Sequence, residues 1–167
     1  MASRFGTTLQ RSAPVLFSPV ARCTTVPEVE RLLVAFDGTP LAERALEYAL
    51  TTYPETEVTV IHVIDYLDEG YGAEALVGAE ELRERAHARS TELLAAAEAI
   101  AADHGRTVST ATRLGKPGRE IVAYAEEHDV DTIVLGSHGR ALLTRVLLGS
   151  VAEAVLQRAP MPVLVVR

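Results

Sequence analysis

The sequence predicts a doubly wound α/β domain, a five-stranded parallel sheet in the order 3-2-1-4-5 with helices on both faces. Three observations carry that expectation. Short apolar runs alternate along the chain with longer segments of helical periodicity, giving the order β-α-β-α-β-α-β-α-β. The apolar runs are too uniform to leave one face wet, which calls for strands covered on both sides and therefore for a parallel sheet. A length of 167 residues houses one such domain with a real core and is short for two.

Residues 1–28 stand apart. Arg4, Arg11 and Arg22 occur with no acid before Glu28, among several Ser, Thr and Pro, a composition that resembles a transit peptide or a weak signal sequence. Pro14 and Pro19 interrupt its apolar stretch, and Arg22 directly precedes Cys23, which makes a poor lipoprotein site. The segment reads as a flexible extension, and the domain proper as 29–167.

Arg31 to Phe36 is a short apolar run that stops at Asp37-Gly38, a buried strand and its turn. Thr39-Pro40 then opens a helix, with a capping hydroxyl and proline in the first turn. Leu41, Ala45, Leu46 and Ala49 give that helix its apolar face, and it ends before Pro54. Glu57 to Ile64, rich in β-branched residues, is the second strand. Residues 65–78 carry Gly70, Gly72, Gly78, Tyr66 and Tyr71, a connection long enough for a lid or a partly ordered insertion. An alanine-rich helix follows over Ala79 to Asp103, closed by His104-Gly105.

Thr107 to Thr112 is expected as the third strand. Gly115-Lys116-Pro117-Gly118 makes a tight connection to a helix over Arg119 to His128, with Ile121, Val122 and Ala125 inward. Ile133-Val134-Leu135 is the fourth strand, and the last helix runs to about Arg158. Pro160 and Pro162 end it, and Val163 to Val166 forms the final strand.

The richest chemistry lies in residues 131–151. The fourth strand stops at Gly136; Gly139 follows, then Gly149-Ser150 at the head of a helix. Glycines let a ligand approach the backbone, and a helix start presents unpaired N–H groups and the positive end of a dipole. Ser150 suits a cap, a phosphate contact, or both. On chemistry alone, an ordinary β-to-α loop and a phosphate site both remain open. The pattern is not a Walker loop, since no Gly-Lys-Ser/Thr follows, and its glycines are too widely spaced for a Rossmann fingerprint. In the expected order the first and fourth strands are neighbours where the order reverses, so Asp37 and Gly136 would face one crevice.

The spacing Gly136-x2-Gly139-x9-Gly149-Ser150 resembles the nucleotide-binding signature of the universal stress protein family. The similarity extends over about Arg31 to Arg167 and includes Val34-Ala35-Phe36-Asp37, His62-Val63-Ile64-Asp65 and the closing Pro162 to Val166. Every signature position is kept, as in the family's ATP-binding branch. The resemblance implies ATP as ligand, with Mg²⁺ or Mn²⁺ as possible companion. Asp37 would then meet ribose hydroxyls or help hold the ion, unless it only caps the following helix. Val63 would meet adenine through its backbone, and Ala35 and Leu135 would line base and sugar. Gly136, Gly139, Gly149, Ser150 and Val151 would hold phosphates, mainly through backbone N–H groups.

Other readings are blander. His62 and His138 lack partners at metal-ligand spacing and read as structural. Arg140 and Arg145 lie in the glycine loop, where solvated arginines are the commoner case. A net charge of −7 argues against nucleic acid, and no run reaches the roughly 18 apolar residues of a membrane span. The lone Cys23 fits a reducing, cytoplasmic setting. The final strand, apolar and at the sheet edge, invites antiparallel pairing with a second copy through Val163 to Val166, an assembly the resemblance also implies.

Three functions remain in view. The first is a nucleotide-dependent regulatory, stress-response module. The second is a slow ATPase or phosphoryl-transfer enzyme, and the third a ligand-free dimeric scaffold. The glycine loop holds no lysine and no evident carboxylate base, which favours binding over turnover.

Overall fold

The structure, a computed structural model, describes residues 29–65, 79–138 and 148–167. The elements are β1 (Arg31–Ala35), α1 (Pro40–Thr52), β2 (Glu57–Ile64), α2 (Ala79–Asp103), β3 (Ser109–Leu114), α3 (Pro117–Glu127), β4 (Thr132–Gly136), α4 (Ser150–Arg158) and β5 (Val163–Val166). The five strands form one parallel sheet in the order β3-β2-β1-β4-β5.

Strand parity sorts the core into two layers. Leu32, Val34, Phe36, Val58, Val60 and Val134 face α1 and α2, and pack with Leu46, Leu50, Leu94 and the alanines of those helices. Leu33, Ile61, Ile133 and Leu135 face the other way, against Ile121, Val122 and Ala125 of α3 and Ala152 and Val155 of α4. Burying both faces of the central strands is what their continuous apolar runs require. Small residues set the helix spacing. A Cβ added at Gly118 of α3 would lie 2.5 Å from the Ala154 Cβ of α4, so the two helices meet closely there.

The ends of α2 show how local chemistry positions the layer. Gly105 adopts φ +68°, its N–H donates to the Ala102 carbonyl (2.9 Å), and the Arg106 N–H donates to that of Ala101 (2.9 Å). This is a Schellman closure, and glycine takes the left-handed position without strain. The Arg106 side chain then donates to the carbonyls of Leu50, Tyr53 and Thr56, tying the end of α2 to the end of α1.

Two elements start two residues away from where the sequence places them. The third strand runs from Ser109 to Leu114, two residues later than the sequence reading, because its ladder with β2 begins at Thr59↔Ser109 and ends at Ile64↔Leu114. Val108 packs against the α1/α2 layer before the ladder starts. Nor is β3 uniformly apolar. It is an edge strand reading Ser-Thr-Ala-Thr-Arg-Leu, mostly exposed. Helix α3 begins at Pro117 instead of Arg119, since the Lys116 carbonyl already accepts from the Arg119 and Glu120 N–H groups. No helix among the described residues is long and apolar enough to cross a membrane.

Candidate functional site

The chain leaves β1 toward one face of the sheet and β4 toward the other, because α1 belongs to one core layer and α4 to the opposite one. These strands are hydrogen-bonded neighbours, in register at Leu32↔Thr132, Leu33↔Ile133 and Val34↔Val134. The point where the strand order reverses therefore lies between their carboxyl ends, where doubly wound sheets form their ligand crevices.

On the β1 side, Gly38 takes φ +75° to turn the chain, and Thr39 caps α1 with its hydroxyl. Asp37 Oδ1 accepts from both the Thr39 N–H (3.1 Å) and the Thr39 Oγ1–H (2.6 Å). Thr39 Oγ1 in turn accepts from the Ala42 N–H at 3.4 Å. So Thr39 is the cap and Asp37 steadies it with one oxygen. The turn is fastened from below by His62, buried at 5 % exposure, whose Nδ1 lies 2.8 Å from the Phe36 carbonyl. A carbonyl only accepts, so Nδ1 carries the proton in that bond. His62 thus has the structural part its sequence context suggested.

On the β4 side, Gly136 has a steric reason to be glycine. A Cβ there would lie 2.9–3.0 Å from the carbonyl carbon, oxygen and Cβ of Leu41, in the first turn of α1. Its bare backbone lets the β1 and β4 junctions approach. Ser137 comes next, 3 % exposed, and its backbone works in two directions. Its N–H donates to the Val166 carbonyl of β5 (2.7 Å), and its carbonyl accepts from the Gly149 N–H (2.8 Å). The latter bond brings the head of α4 back to the end of β4.

Helix α4 starts without a side-chain cap. Gly149 is the N-cap residue, at φ −64° and ψ 153°, and Ser150 is the first helical residue, so Ser150 does not cap. The first intrahelical bond runs from the Glu153 N–H to the Gly149 carbonyl (2.9 Å). The N–H groups of Ser150, Val151 and Ala152 precede that ladder, and such groups suit an anion. The Gly149 N–H, by contrast, is already given to Ser137.

Ala35, Val63 and Leu135, expected to line base and sugar, and Val151, expected at the phosphates, all belong to or pack on one core layer. Ala35, Val63 and Val151 are partly buried and pack against the α3/α4 layer, to which Leu135, 3 % exposed, belongs outright. Gly136 ends β4 and Asp37 lies two residues beyond the end of the adjacent β1. Gly139, Arg140, Arg145 and most of the expected lid, 66–78, lie outside the described residues. No group of three or more His, Cys, Asp or Glu side chains among the described residues is arranged to hold a metal. Asp37 is a carboxylate just beyond the β1 end, and Mg²⁺ is commonly held by one or two carboxylates plus ligand phosphates. Sequence reasoning missed Ser137, which fills an unspecified position of the glycine spacing and acts through its backbone.

A parallel sheet whose strand order reverses between β1 and β4, with helices packed on both faces, defines the doubly wound α/β class. Comparison narrows it: residues 28–167 match the Universal stress protein family, and the chain belongs to that family. Universal stress protein MJ0531 of Methanocaldococcus jannaschii is 34% identical over 140 residues, covering 83% of this chain and 82% of that protein. The solved structure of MJ0577, a universal stress protein from the same organism, superposes with a TM-score of 0.72 at 31% identity, covering 83% of this chain and 96% of the other. A universal stress protein solved in complex with cAMP shares the fold, with a TM-score of 0.62 at 24% identity over 84% of this chain and 98% of its own.

Proposed function

We propose that this protein binds ATP in the crevice between the β1 and β4 carboxyl ends and serves as a nucleotide-dependent regulatory module of the stress response in the cytoplasm. The observation that carries the reading is the uncapped start of α4, set beside the Asp37 turn at the reversal of strand order. Phosphates would lie against the N–H groups of Ser150 and Val151, with Gly139 and Gly149 leaving room for their approach. Ala35, Val63 and Leu135 would supply the apolar wall for base and sugar. Asp37, whose hydrogen bonds among the described residues all use Oδ1, keeps its second oxygen for a ribose hydroxyl or a divalent ion carried in by the phosphates.

Small molecules released from the purified protein and identified by mass spectrometry test this directly. Co-purifying ATP, lost in Gly149→Asp, supports the reading. A wild type that is empty and ignores added Mg-ATP overturns it in favour of a scaffold. Phosphoryl transfer needs cationic stabilisation and a positioned water, and the glycine loop supplies neither a lysine nor an evident base. Steady-state hydrolysis should accordingly stay below ~1 s⁻¹, the low end of ordinary enzyme turnover.

We further propose a homodimer through β5. All four of its residues remain half-buried at an unpaired sheet edge, and apolar edges of this kind favour pairing. Two copies joined antiparallel would form an isologous contact. Sedimentation should show a dimer for the wild type and a monomer for Val165→Asp; identical sedimentation of the two rules this interface out.

A further inference from the structure

We propose that His138 contacts the ligand, its Nε2–H donating to an anionic oxygen of the nucleotide's phosphate chain, with Ser137 holding the ring in the tautomer that makes this possible. The inference rests on the nucleotide reading above and adds a side-chain donor to a site so far built from backbone.

Three observations lead to it. His138 Nε2 is enclosed by the fold yet has no hydrogen-bond partner, and it is the one side-chain atom among the described residues in that condition. Buried polar atoms are almost always satisfied, so an exception points to a partner supplied from elsewhere. The second observation is the ring's other nitrogen, Nδ1, 3.1 Å from Ser137 Oγ. When the buried Ser137 hydroxyl donates to Nδ1, the proton of the neutral imidazole resides on Nε2, which becomes a donor. The third is placement. Ser137 is pinned by its N–H to Val166 and by its carbonyl to Gly149, so the residue that follows it, His138, is carried on a backbone fixed beside the Gly149 cap of α4. A preorganised N–H at that place suits phosphate oxygen, an acceptor without donors at neutral pH. His62 makes the contrast plain: its Nδ1 is committed to the Phe36 carbonyl.

Calorimetric titration of the full chain with Mg-ATP and with adenosine, in wild type, His138→Ala, His138→Gln and Ser137→Ala, tests the proposal. His138→Ala should weaken ATP about tenfold, the usual scale for one hydrogen bond to a charged group, and leave adenosine unchanged. His138→Gln carries an amide N–H in place of Nε2–H and should recover most of that loss. Ser137→Ala should fall between, because the ring keeps its donor but loses the group that fixes its tautomer. Unchanged ATP affinity in His138→Ala overturns the proposal. So does an equal loss for ATP and adenosine with no rescue by Gln, since a packing role would produce that. A wild type that binds neither ligand is a different result and removes the nucleotide reading itself.

Discussion

Helices α1 and α4 both begin at the crevice, each following one of the two central strands, yet their first turns are built in opposite ways. At α1 the backbone donors are met from within: Thr39 caps, and Asp37 braces the cap through two hydrogen bonds. At α4 the cap position is a glycine with no side chain to offer, and the donors of Ser150, Val151 and Ala152 precede the ladder. One start is closed by its own sequence, and the other has no side-chain cap. The difference teaches that a glycine-rich junction is informative for what it withholds from the backbone as much as for the freedom it grants.

The comparison breaks most severely at the residue that holds the two starts together. Gly136→Val should destabilise the fold by about 1–3 kcal/mol or more, as overpacked cores do, because backbone atoms of Leu41 stand in the way. Urea denaturation should show the lost stability. Next in size, Gly149→Asp gives α4 the cap it lacks and sets a carboxylate where phosphate would lie. Nucleotide affinity by calorimetry should drop at least about tenfold, or ~1.4 kcal/mol, while thermal stability holds or rises by a few tenths of a kcal/mol. Affinity and stability moving in opposite directions is the mark of a start designed to stay open. Loss of both would show that glycine serves only the fold.

Thr39→Ala is the mirror experiment. It should cost about 1 kcal/mol of stability in chemical denaturation, the ordinary value of a lost cap, with a smaller effect on nucleotide affinity. An affinity loss exceeding the stability loss would mean that the α1 start also meets the phosphates. The smallest effect sets the baseline. Glu81→Gln removes an exposed i,i+4 pair with Arg85 on α2, 2.6 Å apart, far along the chain from either start. It should change stability by no more than about 0.5 kcal/mol and leave nucleotide binding untouched.

Much of this was legible in the sequence because it depends on neighbours along the chain. The parallel sheet followed from uniform apolar runs alternating with helical segments, and Thr39-Pro40 announced the α1 cap. What escaped depends on residues far apart. Only the folded chain shows that Gly136 makes room for Leu41, ninety-odd positions away. The edge strand β3 was placed two residues early, since hydroxyl-rich Ser109 to Thr112 carries little apolar signal and the ladder with β2 sets its limits. Ser150 was a reasonable cap by type, but the helix starts one residue too early for it to serve. Ser137 escaped altogether, as backbone hydrogen bonds leave no trace in residue identity.

The contact between Gly136 and Leu41 also changes how the glycine spacing should be read in other sequences. Its first glycine answers to packing, so a chain that gave up its ligand would remain under pressure to keep it, while the cap glycine, at an ordinary φ of −64°, has no backbone conformation that demands glycine. When sequences of this fold are sorted into binders and non-binders, Gly136 is therefore a poor discriminator, and the position of Gly149 is where lost function should first leave its mark.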